Sequence, residues 1–485
     1  MTLFLPELGL LATALALFVV SVGLGGESAD RRASPEQLER AGNASDVVVF
    51  FGAFVSAGLA LGTLHAEGTL FFGAYEIGGF SQAVKLLLCA GLAVSAWLSR
   101  GAARGHIPTR DRPEFHLFLV LGTFGMAMLT SATELVGFYV ALELSAYCLY
   151  LLVALTRRHG DHDEAALKYF IQGATTSAVA LFGMSILYGL SGTTDIAAIG
   201  AAVTADPSAL ALGAVVLSLA GVLFKLSVFP FHFWAPDAYE VSGDGAASFI
   251  AGASKVGAIA ALLRLLTLGA GHDGMFWVLG ALAVASMTYG NLAAVAQSDL
   301  KRLLAYSGIA QGGYILLGLM GRGEAGYSAA IYYAGAYLVL LLLCFIVIVE
   351  VGRGREDTRL PISALTGLYR RSPMLAIVLL VGVLGLAGVP PTAGFTGKWL
   401  LFKAALDEGA MWLILVAGIN NTIAVYYYLK VLKAAYVDAE VTETPLRTSP
   451  LGPRLGVALS LAVVLFGVFP QWVMLHLMEA VAAIL

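Results

Sequence analysis

Residues 208–236 read SALALGAVVLSLAGVLFKLSVFPFHFWAP. From Ser208 to Pro230 the run carries one charge, Lys225, and it is longer than the ~20 residues a helix needs to cross roughly 30 Å of hydrocarbon. Proline has no amide proton to donate, so a helix through this run is expected to break near Pro230 and to free a carbonyl that a side chain or water must meet. Breaks at membrane depth line hydrated ion sites, and here one stands beside an apolar-flanked amine. The same grammar returns at residues 388–402, GVPPTAGFTGKWLLF, where Pro390 and Pro391 precede Lys398. Two broken membrane helices, each with a buried lysine, set the fold class.

Working outward, windows of about 20 residues give fourteen apolar segments, near 3–24, 45–64, 79–99, 115–132, 134–155, 165–190, 208–230, 245–269, 274–297, 302–320, 328–350, 373–403, 410–435 and 452–476. Counted in five-helix units from the fourth and ninth segments, both proline-broken helices fall fourth in their unit, which points to an internal repeat. The expected organisation is 1–114 for the first three helices, 115–270 and 271–436 for the two units, and 437–485 for a final helix. The N-terminus lacks a basic n-region and a cleavage site, so the run from Leu8 to about Gly25 is expected to be a retained first helix.

Composition agrees, with 485 residues, 59% hydrophobic, 12% charged and a mean hydropathy of +0.84, against roughly 25% charged in soluble domains. The net charge of −4 and the lack of a basic run interleaved with aromatics exclude a nucleic-acid partner. Cys89, Cys148 and Cys344 stand isolated in apolar runs and read as packing residues, leaving no metal site by spacing. The longest loop, from about Glu27 to Ala44, is too short for a soluble domain, so aqueous redox chemistry belongs to partner chains.

Cytoplasmic loops accumulate Lys and Arg. Arg31, Arg32, Arg40, Arg100, Arg104, Arg110, Arg112, Arg157, Arg158, Lys301, Arg302, Arg353, Arg355, Arg359, Arg370, Arg371, Arg447 and Arg454 all follow odd-numbered segments, with Lys430 and Lys433 at the adjoining helix end. Only Arg322 and Lys403 follow even-numbered ones. Both termini are therefore expected on the non-cytoplasmic side.

Of the 28 Lys and Arg, six remain inside apolar segments: Lys85, Lys168, Lys225, Lys255, Arg264 and Lys398. A charge at a helix centre costs about 2.5–3.5 kcal/mol on insertion scales, so such residues face the bundle interior and mark ion pathways. Lys85, Lys168 and Arg264 lie near segment ends, where long side chains snorkel to the interface. Lys225, Lys255 and Lys398 are the deep ones, and Glu143, in LVGFYVALELSAYCLYLLVAL (135–155), is the deep carboxylate. A buried amine opposed by a movable acid can load and release a proton when the pair separates, whereas a fixed pair is a static salt bridge. His232, Ser227, Ser254, Tyr306, Gln311, Thr392 and Thr396 either connect these sites or bond neighbouring backbone. Asp237, Glu240 and Asp244 read as a solvated loop.

Five stretches now stand in order: GFYVALELSAYCLYLL (137–152), EAALKYFIQGA (164–174), FKLSVFPFHFWAPDAYEVSG (224–243), SDLKRLLAYSGIAQGGY (298–314) and GVPPTAGFTGKW (388–399). On these the chain resembles the antiporter-like membrane subunits of respiratory complex I, an NADH:quinone oxidoreductase, and of the related multisubunit cation/proton antiporters. The resemblance implies an all-α membrane fold of about fourteen helices with two inverted five-helix repeats and two broken helices. It matches Glu143 to the family's helix-five glutamate, Lys225 and Lys398 to the lysines of its broken helices, and Lys255 to its helix-eight lysine. Lys168, His232 and Tyr306 are further relay candidates. Among the three subunit types, Lys398 disfavours the M-type, which usually has glutamate there, and no sequence for the L-type's lateral helix follows Leu485. That leaves the N-type. Gln311 departs from the histidine that several members place nearby, so no relay role is carried to it.

The implied function is proton translocation through the buried Glu and Lys groups, as a translocase subunit without a redox centre of its own. NADH, flavin, iron–sulfur clusters and quinone are expected in partner subunits; M-type and small helical subunits, and the lipid bilayer, are the expected neighbours, in a bacterial plasma membrane. The alternative is a subunit of a Na⁺/H⁺ antiporter or of a ferredoxin-, F420- or hydrogenase-linked complex.

Overall fold

An apolar segment in lipid must satisfy its backbone internally, and coiling into a helix does so. The structure, a computed structural model, describes residues 2–25, 34–100, 107, 111–155, 160–269, 272–321, 323–353, 359–438 and 446–482. Its elements run α1 (Leu5–Gly25), α2 (Pro35–Gly62), an antiparallel hairpin of β1 (Gly68–Leu70) and β2 (Tyr75–Ile77), α3 (Gly79–Leu98), α4 (Arg112–Ser131), α5 (Leu135–Ala154), α6 (Gly160–Ser191), α7 (Ile196–Ala205), α8 (Ala209–Ser218), α9 (Ala220–Lys225), α10 (Trp234–Val241), α11 (Asp244–Ala251) and α12 (Ala253–Leu266). They continue as α13 (Gly274–Val295), α14 (Leu300–Leu319), α15 (Glu324–Gly352), α16 (Leu368–Arg371), α17 (Pro373–Ala387), α18 (Ala393–Asp407), α19 (Met411–Tyr436), α20 (Gly452–Val468) and α21 (Gln471–Ala482). Arg31, Arg32, Arg104, Arg110, Arg157, Arg158, Arg322 and Arg355 of the loop-charge pattern lie outside the described residues.

Among the described residues ten helices are long and apolar enough to cross a membrane, and α20 with α21 form one further span bent by 76°. The chain is thus a helical multi-pass membrane protein. Shorter apolar helices, Ala209–Lys225 and Pro373–Ala387, end at the two breaks read from proline. The interrupted segments do not stop there: α10 resumes beyond Pro230, and α18 beyond Pro391. A third interruption, not expected, separates α11 from α12 at Gly252, three residues before Lys255.

Two further differences have local causes. Helix α2 begins ten residues before the expected 45, because Ser34 caps it: its hydroxyl accepts from Gln37 N and its own N–H donates to the Gln37 side chain. Charged residues in that first stretch hid it from a hydropathy reading. The segment Asp237–Asp244, expected as a solvated loop, is mostly helix α10, docked on α6 and α14. Asp244 is fully buried.

The centre is α11, α12 and α15, whose residues are nearly all buried; α12 packs on α3, α4, α9 and α15, and α14 on α10, α13, α15 and α18. Helices α1, α2, α6 and α19 instead turn Leu, Val, Ile and Phe outward, as a lipid- or subunit-facing surface does.

Candidate functional site

The first node is the end of α9. Past Lys225 the chain leaves the helix, Ser227 at φ +59°, and Trp234 from across the break donates its indole N–H to Phe224 O at 3.0 Å. Tyr169 of α6 stacks on Trp234 with ring centroids 4.1 Å apart, which fixes the two arms of the broken helix against each other. Buried Lys225 donates to Ser145 Oγ of α5 at 2.9 Å. Glu143 is half-buried and accepts a hydrogen bond from Ser177 Oγ, with no ion pair to Lys225. The direct pairing expected from sequence is therefore not formed: two residues along a helix turn by about 200°, so Ser145 faces Lys225 and Glu143 faces α6. Between Lys225 and Ser177, the partner of Glu143, lies a cavity of about 10 Å³ lined also by Leu142, Ala146 and Phe224, the least volume that holds a water molecule.

The second node is Lys255, buried in the first turn of α12, whose Nζ donates to Gly308 O of α14 at 2.8 Å and stands 5.8 Å from the Tyr337 ring centre. The third is Lys398. The chain between α17 and α18 leaves the last carbonyls of α17 without helical partners, and Lys398 reaches back to Leu386 O at 2.9 Å and Ala387 O at 3.4 Å. The carbonyl end of a helix attracts a cation. Its third acceptor is Asn421 Oδ1 of α19 at 2.7 Å, and Tyr314 lies beneath the ammonium at 4.7 Å. Gly388, at φ +80°, allows this turn; a Cβ there would meet Lys398 Cδ at 2.9 Å.

Between the second and third nodes runs a line of polar groups of which sequence reading named only Gln311, without a relay role. Gln311 of α14 donates to Leu386 O at 3.1 Å and to Tyr428 Oη at 3.3 Å, and accepts from Tyr333 Oη at 2.5 Å. Tyr428 Oη lies 2.5 Å from Ser307 Oγ, next to Gly308, the acceptor of Lys255. Leu386 O is thus shared by Lys398 and Gln311. The three hydroxyls and the amide are all buried.

The other candidates lie elsewhere. Lys168 has a side chain 45% exposed and pairs with Glu164 at 2.7 Å and Asp237 at 3.3 Å, consistent with its shallow position. His232 is buried among Phe229, Phe233 and Tyr289, and neither ring nitrogen has a hydrogen-bond partner among the described residues. Tyr306 is half-buried below the Arg302 guanidinium, 5.9 Å from its ring centre. Arg302 bonds Asp237 at 3.0 Å and Glu240 at 2.6 Å. Sequence reading also missed buried Glu7 and Glu350 and placed buried Asp244 in a loop. Glu7 binds Lys85 Nζ at 2.5 Å and Tyr75 Oη at 2.6 Å; Asp244 lies 3.4 Å from Lys301; Glu350 binds Arg353 at 2.8 Å. Arg264, as a helix-end cation, bonds Glu76 at 2.9 Å and Thr130 O at 2.5 Å.

Residues 132–424 match the family described as NADH:quinone oxidoreductase/Mrp antiporter, transmembrane. NADH-quinone oxidoreductase subunit N 2 of Syntrophobacter fumaroxidans is 43% identical over 488 aligned positions, covering 99% of both chains. Among solved structures, a chain of respiratory complex I from Thermus thermophilus is 33% identical, with a TM-score of 0.80 and 98% of each chain covered. A chain of the Mrp complex from a Dietzia species has a TM-score of 0.83 at 21% identity, covering 99% of this chain and 96% of its own, which is a likeness of fold.

Proposed function

Because the chain belongs to the NADH:quinone oxidoreductase/Mrp antiporter family, on its subunit N branch, we propose that it is the N-type proton-translocating membrane subunit of an NADH:quinone oxidoreductase. The observation that carries the translocation reading is the buried polar line from Lys255 past Ser307, Tyr428 and Gln311 to Lys398. In the proposed path a proton from the cytoplasm loads Lys225, with Glu143 and Ser177 across the small cavity as its entry partners. It then passes to Lys255 and on to Lys398, and leaves on the other side. Carbonyl oxygens accept but do not pass on a proton, so transfer runs through the Ser307, Tyr428 and Tyr333 hydroxyls and through water entering among them. Gln311, which has no ionisable proton, is a positioning residue that holds both tyrosines and Leu386.

Moving a proton against 100 mV costs about 2.3 kcal/mol. That energy comes from partner subunits carrying NADH, flavin, iron–sulfur and quinone chemistry; this chain contributes translocation. Half-buried Glu143 stands on an α5 face beside Val140, 60% exposed, and Tyr147, 49% exposed. A carboxylate there is costly against lipid, so this face suits a neighbouring membrane subunit, with small helical and M-type subunits as the expected partners.

The full reading has fourteen crossings in two inverted five-helix repeats. It adds to the ten long helices the bent α20–α21 pair, the two proline-broken helices, and the more polar α14. The units are 1–114, 115–270, 271–436 and 437–485, in a bacterial plasma membrane with both termini non-cytoplasmic. A cysteine introduced at Thr2 should react with a membrane-impermeant thiol reagent only from the non-cytoplasmic face; labelling only from the cytoplasm refutes that orientation. The alternative, a Na⁺/H⁺ antiporter subunit or one linked to another donor, shares the fold at 21% identity. The subunit N relative, at 43% across both chains, favours the quinone-linked reading. The decisive experiment is co-purification with the peripheral chains, reconstitution in vesicles, and measurement of NADH-driven membrane potential. Sodium-dependent proton exchange without any redox partner would overturn the proposal.

A further inference from the structure

We propose that a cleft between the ends of α3 and α15 binds the phosphate group of an anionic phospholipid. The cleft, of about 260 Å³, is lined by Trp97, Arg100, Val349 and Arg353. None of its lining residues belongs to the lysine nodes, and the translocation path makes no use of it.

Two buried acids hold the arginines in place. Asp46 Oδ2 takes Arg100 Nε at 2.9 Å, and the Arg100 guanidinium also lies 5.0 Å from the Phe50 ring centre. Glu350 takes Arg353 Nε at 2.8 Å and Nη2 at 3.3 Å, and is itself held by Ser449 N at 2.8 Å. The Asp46 and Glu350 side chains are 4% and 0% exposed, whereas those of Arg100 and Arg353 are 43% and 27% exposed. The acids neutralise the arginines from the protein side, and the face turned to the cleft is cationic. Among the described residues the Arg100 Nη atoms have no hydrogen-bond partner, so a guanidinium edge of fixed orientation remains for an anion.

Position selects the source of that anion. Arg353 follows directly on the end of α15 and Arg100 stands just past Ser99, the cap of α3, while Trp97 and Val349 stand about one turn further in. A pair of guanidinium groups above an aromatic and an aliphatic wall reproduces the vertical order of a phospholipid, phosphate above acyl chain. Tryptophan favours that depth, and basic clefts between helix ends on the cytoplasmic side recognise anionic head groups. On the proposed orientation both ends are cytoplasmic. A soluble acidic segment would use the arginines and leave the apolar wall unexplained.

The test is native mass spectrometry of the purified, delipidated complex titrated with phosphatidylglycerol, with phosphatidylcholine and inorganic phosphate as separate probes. Each arginine near an anionic head group contributes enough for a roughly fivefold change in dissociation constant, so Arg100→Gln with Arg353→Gln should weaken one phosphatidylglycerol site about 25-fold. Retention of phosphatidylcholine should not change. Arg100→Lys with Arg353→Lys, which keeps charge without the planar fork, should fall between wild type and the Gln pair. If the double Gln variant fails to assemble because buried Asp46 and Glu350 are stranded, Arg353→Gln combined with Glu350→Gln strands no anion, leaves the Asp46–Arg100 contact intact and should still weaken the site about fivefold. Equal phosphatidylglycerol retention by wild type and variants overturns the site. Protection of the complex by inorganic phosphate as effective as by the lipid overturns the phospholipid as its occupant.

Discussion

Replacing Gln311 with leucine tests the line between Lys255 and Lys398, because it removes hydrogen bonding while nearly keeping volume. Three bonds go: those to Leu386 O, Tyr428 Oη and Tyr333 Oη. Two of the partners keep another, since Leu386 O retains Lys398 and Tyr428 retains Ser307. Tyr333 Oη, fully buried, loses its acceptor. One orphaned buried group costs about 1–3 kcal/mol, which a protein stabilised by roughly 5–15 kcal/mol survives. The complex should therefore assemble, and a loss of pumping cannot be assigned to unfolding. Gln311→His offers an imidazole that accepts from Tyr333 with one nitrogen and donates to Leu386 O with the other. Proton translocation per electron, measured with a potential-sensitive dye in vesicles during NADH oxidation, should fall several-fold for Gln311→Leu and recover largely in Gln311→His. Assembled Gln311→Leu pumping at the wild-type ratio refutes the line as a proton path.

Gly308→Ala would set a Cβ 2.8 Å from Lys255 Nζ and 2.9 Å from Tyr337 Oη; displacing a charge-assisted bond of that kind should cut pumping roughly tenfold or more, and unchanged rates would mean Lys255 has no fixed place. Lys398→Gln keeps an N–H for Leu386 O or Asn421 but has no proton to release, so the complex should assemble with normal lipid and subunit content and generate little potential; normal potential removes Lys398 from the path. Lys225→Arg keeps the charge permanently and should likewise assemble without coupled pumping, full activity counting against a protonation cycle there. Lys85→Met should act in the opposite way: stranding buried Glu7 costs about 3–5 kcal/mol, so the amount of assembled complex drops while turnover per complex stays near wild type.

Sequence reading reached the two broken helices because proline acts locally: its missing N–H ends a helix whatever packs around it. It reached Lys225, Lys255 and Lys398 because a charge in an apolar run is visible against its neighbours. It did not reach their partners, since depth along a helix says nothing about the direction a residue faces; Ser145, two positions from Glu143, is the one that meets Lys225. Asp244 and Lys301 were misplaced for a different reason. Each stands next to other charges, Glu240 and Arg302 among them, and reads as loop, yet the docking of α10 on α14 carries both into the interior. Gln311 stood out only as a polar residue in a membrane helix, with its role open: an amide among glycines becomes a junction only when α14, α15, α17 and α19 bring Tyr333, Leu386 and Tyr428 to it.

The buried cations fall into two sets that differ in chemistry. Lys85, Arg264 and Lys301 each meet a carboxylate, from Glu7, Glu76 and Asp244. Lys225, Lys255 and Lys398 meet only a serine hydroxyl, backbone carbonyls and an asparagine amide. If a paired cation gave up a proton or moved, it would strand a buried anion, at a cost that fixes it in place. An amine held by neutral acceptors strands nothing: as ammonium it is held by its hydrogen bonds, and as free amine it leaves behind groups that water can satisfy. All three unpaired lysines also sit at interruptions, the ends of α9 and α17 and the Gly252 break before α12, where backbone carbonyls are turned out of the helix. Lysine rather than arginine at each is what a proton carrier requires, since guanidinium keeps its proton at any physiological pH. The partner type thus separates cations that hold the bundle together from those suited to carry charge through it, a distinction that burial alone, which both sets share, does not draw.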